Sequence, residues 1–253
     1  MTSRFENKVV LITGAAGALG EAMARAFADE GARVALAARD HHEEKASRLA
    51  AEIGNKSLFV SLDVTNEASW ADAVARIEDR LGPISALVLN AAYAANGGVE
   101  KVETSEWQKS IETNLTGSFL GIRAVAPSMR KAGGGSITIV SSVAALGKAP
   151  GLVAYGASKW GLRGLVRTAA WELARDKIRV NAFHPGIIET PLAYNPETGE
   201  QWAPTDKLAI PRNAETAEVA KYVLFMASDD AAYTTGAEWL ADGGYMLGPV
   251  EQS

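Results

Sequence analysis

Lys8-Val9-Val10-Leu11-Ile12-Thr13-Gly14-Ala15-Ala16-Gly17-Ala18-Leu19-Gly20 is the stretch that decides how this chain folds. Lys8 to Thr13 is a short apolar, β-branched run that ends at a glycine. Ala18 to Glu30 reads as a helix of small residues that stops at Gly31. The order is strand, tight turn, helix. That context lets a glycine-rich loop hold a dinucleotide: the helix N-terminus faces the pyrophosphate with free amides and a positive dipole end, and missing side chains allow close approach. Taken alone, the same residues describe a plain tight turn.

Outward from this unit the alternation continues. Arg33 to Ala38 reads as a strand, His41 to Ile53 as a helix, Ser57 to Leu62 as a strand and Glu67 to Leu81 as a helix. Three β-α units in a row predict a parallel sheet with right-handed crossovers. Further strands are predicted at Ile84 to Leu89, Ser136 to Ser141, Ile178 to Ala182 and Glu238 to Ala241, with helices at about Ser105 to Lys131, Tyr155 to Arg175 and Ala217 to Ala227. Within Tyr155 to Arg175, Leu162, Leu165, Val166, Ala169, Ala170 and Leu173 form one buried stripe. Gly156, Gly161 and Gly164 in the same helix point to close approach of a cofactor, a neighbouring helix or a second subunit. The expected fold is α/β: a single-domain, Rossmann-type doubly wound sheet of seven mainly parallel strands flanked by helices, with residues 1–253 forming one dinucleotide-binding and catalytic domain. The least regular segment, about 191–212, carries Pro191, Pro196, Pro204 and Pro211 with Tyr194 and Trp202. Its length suggests a substrate lid.

Composition narrows the function. Apolar residues make up 47% and charged residues 22%, the balance of a globular protein, and the net charge of −5 with no long Lys/Arg run argues against nucleic acid or an anionic membrane as partner. The chain has no cysteine, which excludes disulfides, thiolate metal sites and a cysteine nucleophile. His41 and His42 are adjacent and His184 stands alone, so no metal site is predicted. Met1 to Lys8 has no apolar leader core and no stretch is long enough to span a bilayer, which points to the cytoplasm.

The chemistry lies in Tyr155-Gly156-Ala157-Ser158-Lys159, with Ser142 thirteen residues upstream at a strand end. Residues four apart share a helix face, so phenol and ammonium project together. A neighbouring positive charge brings a phenol from about 10 toward working range, and such a tyrosine passes a proton to or from a substrate oxygen. An isolated pair at this spacing is usually a surface pair; the glycine loop, Asn114 and Ser142 reverse that reading. Cofactor choice is read at the end of the second strand, Ala37-Ala38-Arg39-Asp40. No acid sits at the strand end and Arg39 follows, which favours NADP(H), with NAD(H) possible. If the loop turns one residue further, Asp40 meets the ribose and Arg39 is a solvated charge.

The chain resembles the short-chain dehydrogenase/reductase family over essentially its whole length. The resemblance is carried by the glycine loop, Asp63-Val64, Asn90-Ala91-Ala92, Asn114, Ser142, Tyr155, Lys159, Pro185-Gly186-Ile187-Ile188-Glu189-Thr190 and Asp242-Gly243-Gly244, in family order. It implies Tyr155 as general acid in ketone reduction, Ser142 as hydrogen-bond partner of the carbonyl oxygen, Lys159 as ribose ligand that lowers the tyrosine pKa, and Asn114 as support for a water leading to Lys159. It implies a cofactor site of Gly14, Gly17, Ala18, Leu19, Gly20, Arg39, Asp63, Val64, Asn90, Tyr155, Lys159, Pro185, Gly186, Ile187 and Thr190. Three departures stand out. Ala18 occupies a position where the compact branch has glycine, and the Gly14, Gly17, Gly20 spacing resembles that of epimerases, whose larger C-terminal domain this chain lacks. Leu89-Asn90-Ala91-Ala92 lacks one asparagine and one glycine of the usual motif, and Tyr93 follows it at the cleft edge, where packing on a bulky substrate and a place in the core are equally open.

The expectation is an NADP(H)-dependent oxidoreductase acting on a ketone/secondary alcohol pair, with a bulky or steroid-like substrate suggested by likeness to bacterial hydroxysteroid dehydrogenases. Tyr93, Ala144, Leu146, Tyr194 and Trp202 are the candidate substrate contacts. The alternatives are an NAD-dependent hydroxysteroid-type alcohol dehydrogenase, a cofactor-sensing protein without turnover and a sugar-nucleotide epimerase. The resemblance also implies a homotetramer, and Trp239 and Tyr245 either reach a neighbour's site or simply pack.

Overall fold

The computed structural model describes residues 3–54, 56–195 and 198–249. Pro196 lies outside the described residues. Strand β1, Val9–Thr13, is buried at every position, as a strand covered by helices on both faces must be. It pairs in parallel with β2, Arg33–Ala38, and β4, Ala86–Leu89. Strand β3, Ser57–Ser61, extends the sheet beyond β2; β5, Gly135–Val140, β6, Ile178–Pro185, and β7, Glu238–Ala241, extend it beyond β4. The order is β3-β2-β1-β4-β5-β6-β7 and every pairing is parallel. Strand order reverses between β1 and β4, which opens a crevice beyond their C-terminal ends.

Side chains alternate across this sheet and build two apolar layers. On one face Leu11, Leu87, Ile139 and Val180 meet Trp70 and Ile77 of α3, Glu67–Leu81, and Leu162 and Val166 of α6, Val153–Leu173. On the other, Val10, Ile12, Val88 and Phe183 meet Met23 and Phe27 of α1, Ala18–Asp29, Leu49 of α2, Glu43–Ile53, and Val223 of α7, Thr216–Ala227. Among the described residues no helix is long and apolar enough to cross a membrane.

The predicted helix at about Ser105 to Lys131 is not one α-helix. It is α4, Thr104–Ile111, then a π-helical turn at Glu112–Thr116, then α5, Gly117–Lys131. The widened turn carries Asn114 toward α6, where Gly161 makes room: a Cβ there would lie 2.7 Å from Leu115. A Cβ at Gly164 would meet nothing nearby, so the close-approach reading fails within the chain at that position. The predicted helix from His41 begins as a 3₁₀ turn at Asp40–His42. The irregular segment after Pro191 forms a small loop pinned at its base by the Ile188–Ala214 bridge and closed on itself by the Tyr194–Gln201 bridge.

Candidate active site

A cleft of about 770 Å³ opens at the crevice. Its floor at one end is the glycine loop. Gly14 has φ +65°, a left-handed conformation, and a Cβ on Gly20 would lie 2.3 Å from the Gly14 carbonyl oxygen, so α1 seats directly on the loop. Gly17 caps α1 without any side-chain hydrogen bond, and Gly17, Ala18, Leu19 and Gly20 line the cleft. The start of a helix facing a cleft with bare backbone, over a turn that needs glycine at its first position, suits a pyrophosphate. Asn90 lines the same end, but its amide donates to the carbonyls of Thr13, at 3.0 Å, and Gly14, at 3.3 Å, so it braces the loop. Asp63 accepts from the Thr65 amide and hydroxyl at 2.9 and 2.7 Å, fixing the turn that presents Val64.

The end of β2 resolves the choice between Arg39 and Asp40 as a cleft residue. Arg39, His42 and Lys45 line the cleft, while the Asp40 carboxylate turns away to accept from the Ser61 hydroxyl. Partial burial and then the positive neighbours His41, Arg39 and Lys45 push the His42 pKa down, the signature of cations gathered in one place.

At the other end Ser142, Tyr155 and Lys159 meet. Ser142 ends the β5 extension and accepts the Ala144 amide at 3.1 Å, starting a 3₁₀ turn at Val143–Ala145. Tyr155 and Lys159 stand one helical turn apart on α6, 9% and 2% exposed. The Lys159 ammonium donates to the Val140 carbonyl at 2.9 Å and sits 5.3 Å from the centre of the Tyr155 ring. Burial lowers the Lys159 pKa to about 7. The expectation that this ammonium lowers the tyrosine pKa is corrected here: burial pushes Tyr155 up, and the opposing influence is a side-chain hydrogen bond with Ser142. Both groups are out of water, and the cost of charge there is the first cause of each shift.

Asn114 is buried, and its side chain accepts the Tyr93 amide at 2.7 Å and donates to the Tyr93 carbonyl at 2.9 Å and the Ser158 hydroxyl at 2.8 Å. Ser158 in turn donates to the Tyr155 carbonyl at 2.7 Å. Asn114 thus ties the β4 loop to the catalytic helix. Pro185, Gly186, Ile187 and Thr190 line the cleft beside this end, held by the Gly186 amide donating to Ala241 at 3.0 Å.

Of the predicted substrate contacts, Tyr93, Ala144 and Trp202 line the cleft and Leu146 and Tyr194 do not. Leu146 is rotated out by the 3₁₀ turn before it, and Tyr194 bonds the Glu189 carboxylate at 2.8 and 2.9 Å. Tyr93 donates to Glu106 and has the Lys109 ammonium 3.9 Å above its ring. Sequence reading missed Lys109, Lys148, Pro150, Leu192 and Ala203, and it assigned Tyr245 to a neighbour's site or to packing, whereas Tyr245 lines the cleft of its own chain. Trp239 packs edge-on against Phe225, ring centres 5.5 Å apart. A signal for Tyr245 existed in Asp242-Gly243-Gly244: Gly243 and Gly244 have φ +62° and +88°, and such a turn brings the following residue back over the sheet end.

A family model described as enoyl-(acyl carrier protein) reductase matches residues 14–246. A 3-alpha-(or 20-beta)-hydroxysteroid dehydrogenase of Mycobacterium bovis is 39% identical over 98% of this chain and 93% of its own. The chain belongs to the short-chain dehydrogenase/reductase family. As a member it is an NAD(P)-dependent oxidoreductase. Other relatives are a trans-4-hydroxycyclohexanecarboxylate dehydrogenase of Sinomonas cyclohexanicum, 40% identical over 98% of this chain and 96% of its own, and a cyclopentanol dehydrogenase of Comamonas testosteroni, 41% identical over 96% and 98%. A solved short-chain type dehydrogenase/reductase from Mycobacterium ulcerans superposes with a TM-score of 0.89 at 30% identity, covering 97% of this chain and 93% of that one.

Proposed function

We propose that this short-chain dehydrogenase/reductase is an NADP(H)-dependent enzyme that interconverts a bulky cyclic ketone and its secondary alcohol, with Tyr155 as the proton donor and acceptor. The observation that carries the reading is the meeting of a half-buried Ser142 with the buried Tyr155 and Lys159 at the end of a cleft whose other end is a glycine-braced helix N-terminus. Bound in that cleft, a nicotinamide cofactor supplies or takes the hydride. The loop Gly14 to Gly20 would hold the pyrophosphate, Asp63 and Val64 the adenine, and Pro185, Gly186, Ile187 and Thr190 the carboxamide end. Arg39 and Lys45 offer two cations, and His42 a neutral imidazole, to a 2′-phosphate, and Asp40, the group that would favour a free ribose, is engaged with Ser61.

In ketone reduction Tyr155 gives its proton to the carbonyl oxygen as the carbonyl carbon gains the hydride, and Ser142 steadies that oxygen. A lysine whose pKa lies at about 7 can return the proton at neutral pH. A bulky apolar substrate is supported by walls of Val143, Ala149, Pro150, Leu192, Ala203 and Trp202 and by the names of the cyclic-alcohol relatives. A homotetramer is supported by two apolar surfaces: exposed Phe119, Trp160 and Trp171 on α5 and α6, and exposed Leu240 on the edge strand β7 followed by Leu247.

The test is the initial rate of nicotinamide absorbance change with NADPH and with NADH on cyclic and steroidal ketones, with Tyr155→Phe as the blank. A Tyr155-dependent rate that favours NADPH is expected. Preference for NADH overturns the cofactor assignment, and silence despite cofactor binding favours the sensor or epimerase reading.

A further inference from the structure

Behind the catalytic serine, on the side of the sheet covered by α6, lies a group of polar side chains that no step above uses. His184 on β6 is fully buried, and its Nδ1 is 3.0 Å from the Ser142 carbonyl oxygen. A ring nitrogen facing a carbonyl must carry the proton, so Nδ1–H donates and Nε2, which has no partner, is left as a bare lone pair. Three residues on, the Ala145 carbonyl accepts from Arg163 Nη1 at 3.3 Å. The same guanidinium grips Glu238 of β7 with two bonds, Nε–Oε1 at 2.7 Å and Nη2–Oε2 at 3.0 Å. Arg167 adds a longer contact to Glu238 at 3.7 Å. Registers fix the neighbours: Glu238 lies beside Ala182, and His184 beside Leu240.

The carbonyls at the two ends of the Ser142 to Ala145 turn are therefore each held by a donor from a different part of the fold. One donor is anchored in the sheet, the other in a bidentate ion pair between α6 and the last strand. Among the described residues no side-chain hydrogen bond made by this turn itself is to the sheet: the Ser142 hydroxyl accepts from the Ala144 amide and pairs with Tyr155. We propose that His184 and the Arg163–Glu238 pair are positioning residues that set the height and direction of Ser142 against Tyr155. The proposal rests on the catalytic reading above. A fork-to-fork pair suits this task better than a surface lysine contact, because its planar geometry fixes direction as well as distance. Half-buried, it is also less screened than the exposed ion pairs elsewhere on the chain.

The test uses purified full-length protein with NADPH and a cyclic ketone accepted by the wild type, and the reverse reaction with the matching alcohol. The variants are Arg163→Met, Glu238→Gln, His184→Leu and His184→Asn, the last because an asparagine amide can replace the Nδ1–H donor. Arg163→Met, Glu238→Gln and His184→Leu are expected to lower kcat about tenfold with NADPH affinity, read by fluorescence, changed less than twofold; His184→Asn keeps kcat within about threefold. Hydrogen bonding with Ser142 is what opposes the upward pKa of Tyr155, so in alcohol oxidation the rising limb of the kcat profile moves to higher pH in the three damaging variants. A purely structural role would lower melting temperature and leave kcat and that limb in place, and this result overturns the proposal. If His184→Leu does not fold, the two ion-pair variants, at partly exposed sites, decide the matter. Retention of activity by Tyr155→Phe would instead refute the catalytic reading beneath it.

Discussion

Replacing Lys159 by methionine is expected to stabilise the protein while ending its activity. Burial holds the ammonium at a pKa of about 7 against an ordinary 10.5, and each tenfold change in proton affinity is worth about 1.4 kcal/mol. Carrying the charge into the fold therefore costs about 5 kcal/mol wherever both states are protonated, which is below pH 7. Methionine packs into the same space without charge but leaves the Val140 carbonyl, now bonded at 2.9 Å, without its donor, a loss of about 1–3 kcal/mol. The net gain at pH 6.5 is about 2–4 kcal/mol. Between pH 7 and 10.5 the native amine is neutral while the unfolded one still binds a proton, so the penalty on the wild type shrinks as pH rises. Near pH 10 only the lost hydrogen bond remains, and the sign reverses. Urea unfolding followed by tryptophan fluorescence at pH 6.5, 8 and 9.5 measures this directly. A variant that is no more stable at pH 6.5, or a difference that ignores pH, would refute the claim that burial dominates this site.

Arg39→Ala removes one charge-assisted contact to phosphate, worth about 1.5–3 kcal/mol; NADPH should weaken about 10–100-fold and NADH by less than threefold, as read by titration of cofactor fluorescence. Burial, chiefly, lowers the His184 pKa, so the unfolded state takes up a proton that the native state refuses. Stability is full above about pH 6.5 and falls with acid below it, by up to about 1.4 kcal/mol per pH unit, and His184→Asn should flatten that slope in denaturation curves at pH 5 to 7. Gly20→Ala sets a methyl 2.3 Å from a backbone oxygen, which cannot relax without lifting α1. A drop of about 1–3 kcal/mol in unfolding free energy, with weakened cofactor binding, is the expected outcome, and unchanged NADPH affinity would count against the loop as its seat.

The sheet was readable because its central strands are short, continuously apolar and punctuated by glycine, and because α6 shows one unbroken stripe. Pairs four residues apart on one helix were readable too, so Tyr155 and Lys159 fall together as expected. Depth was not: spacing places two groups on one face without saying that both leave water, and burial reversed the expected effect on Tyr155. Side chains whose direction is set by distant partners were also hidden. Asp40 is turned by Ser61, and Tyr194 by Glu189 and Asn213, the latter nineteen residues on. The π-helical turn leaves no trace in composition, since apolar periodicity runs through it.

That turn gives the rod from Thr104 to Lys131 two independent faces. A π turn spends one residue more than an α turn, and one residue is about 100° of helical phase. The half before it packs on α6 and the cleft; the half after it packs on α3 and the core. The turn thus works as a clutch between them: substitutions that retune the cleft around Lys109 do not change which side chains α5 delivers to the sheet. Deleting one residue at the joint would re-engage the two halves, straighten the rod and swing Asn114 away from Ser158.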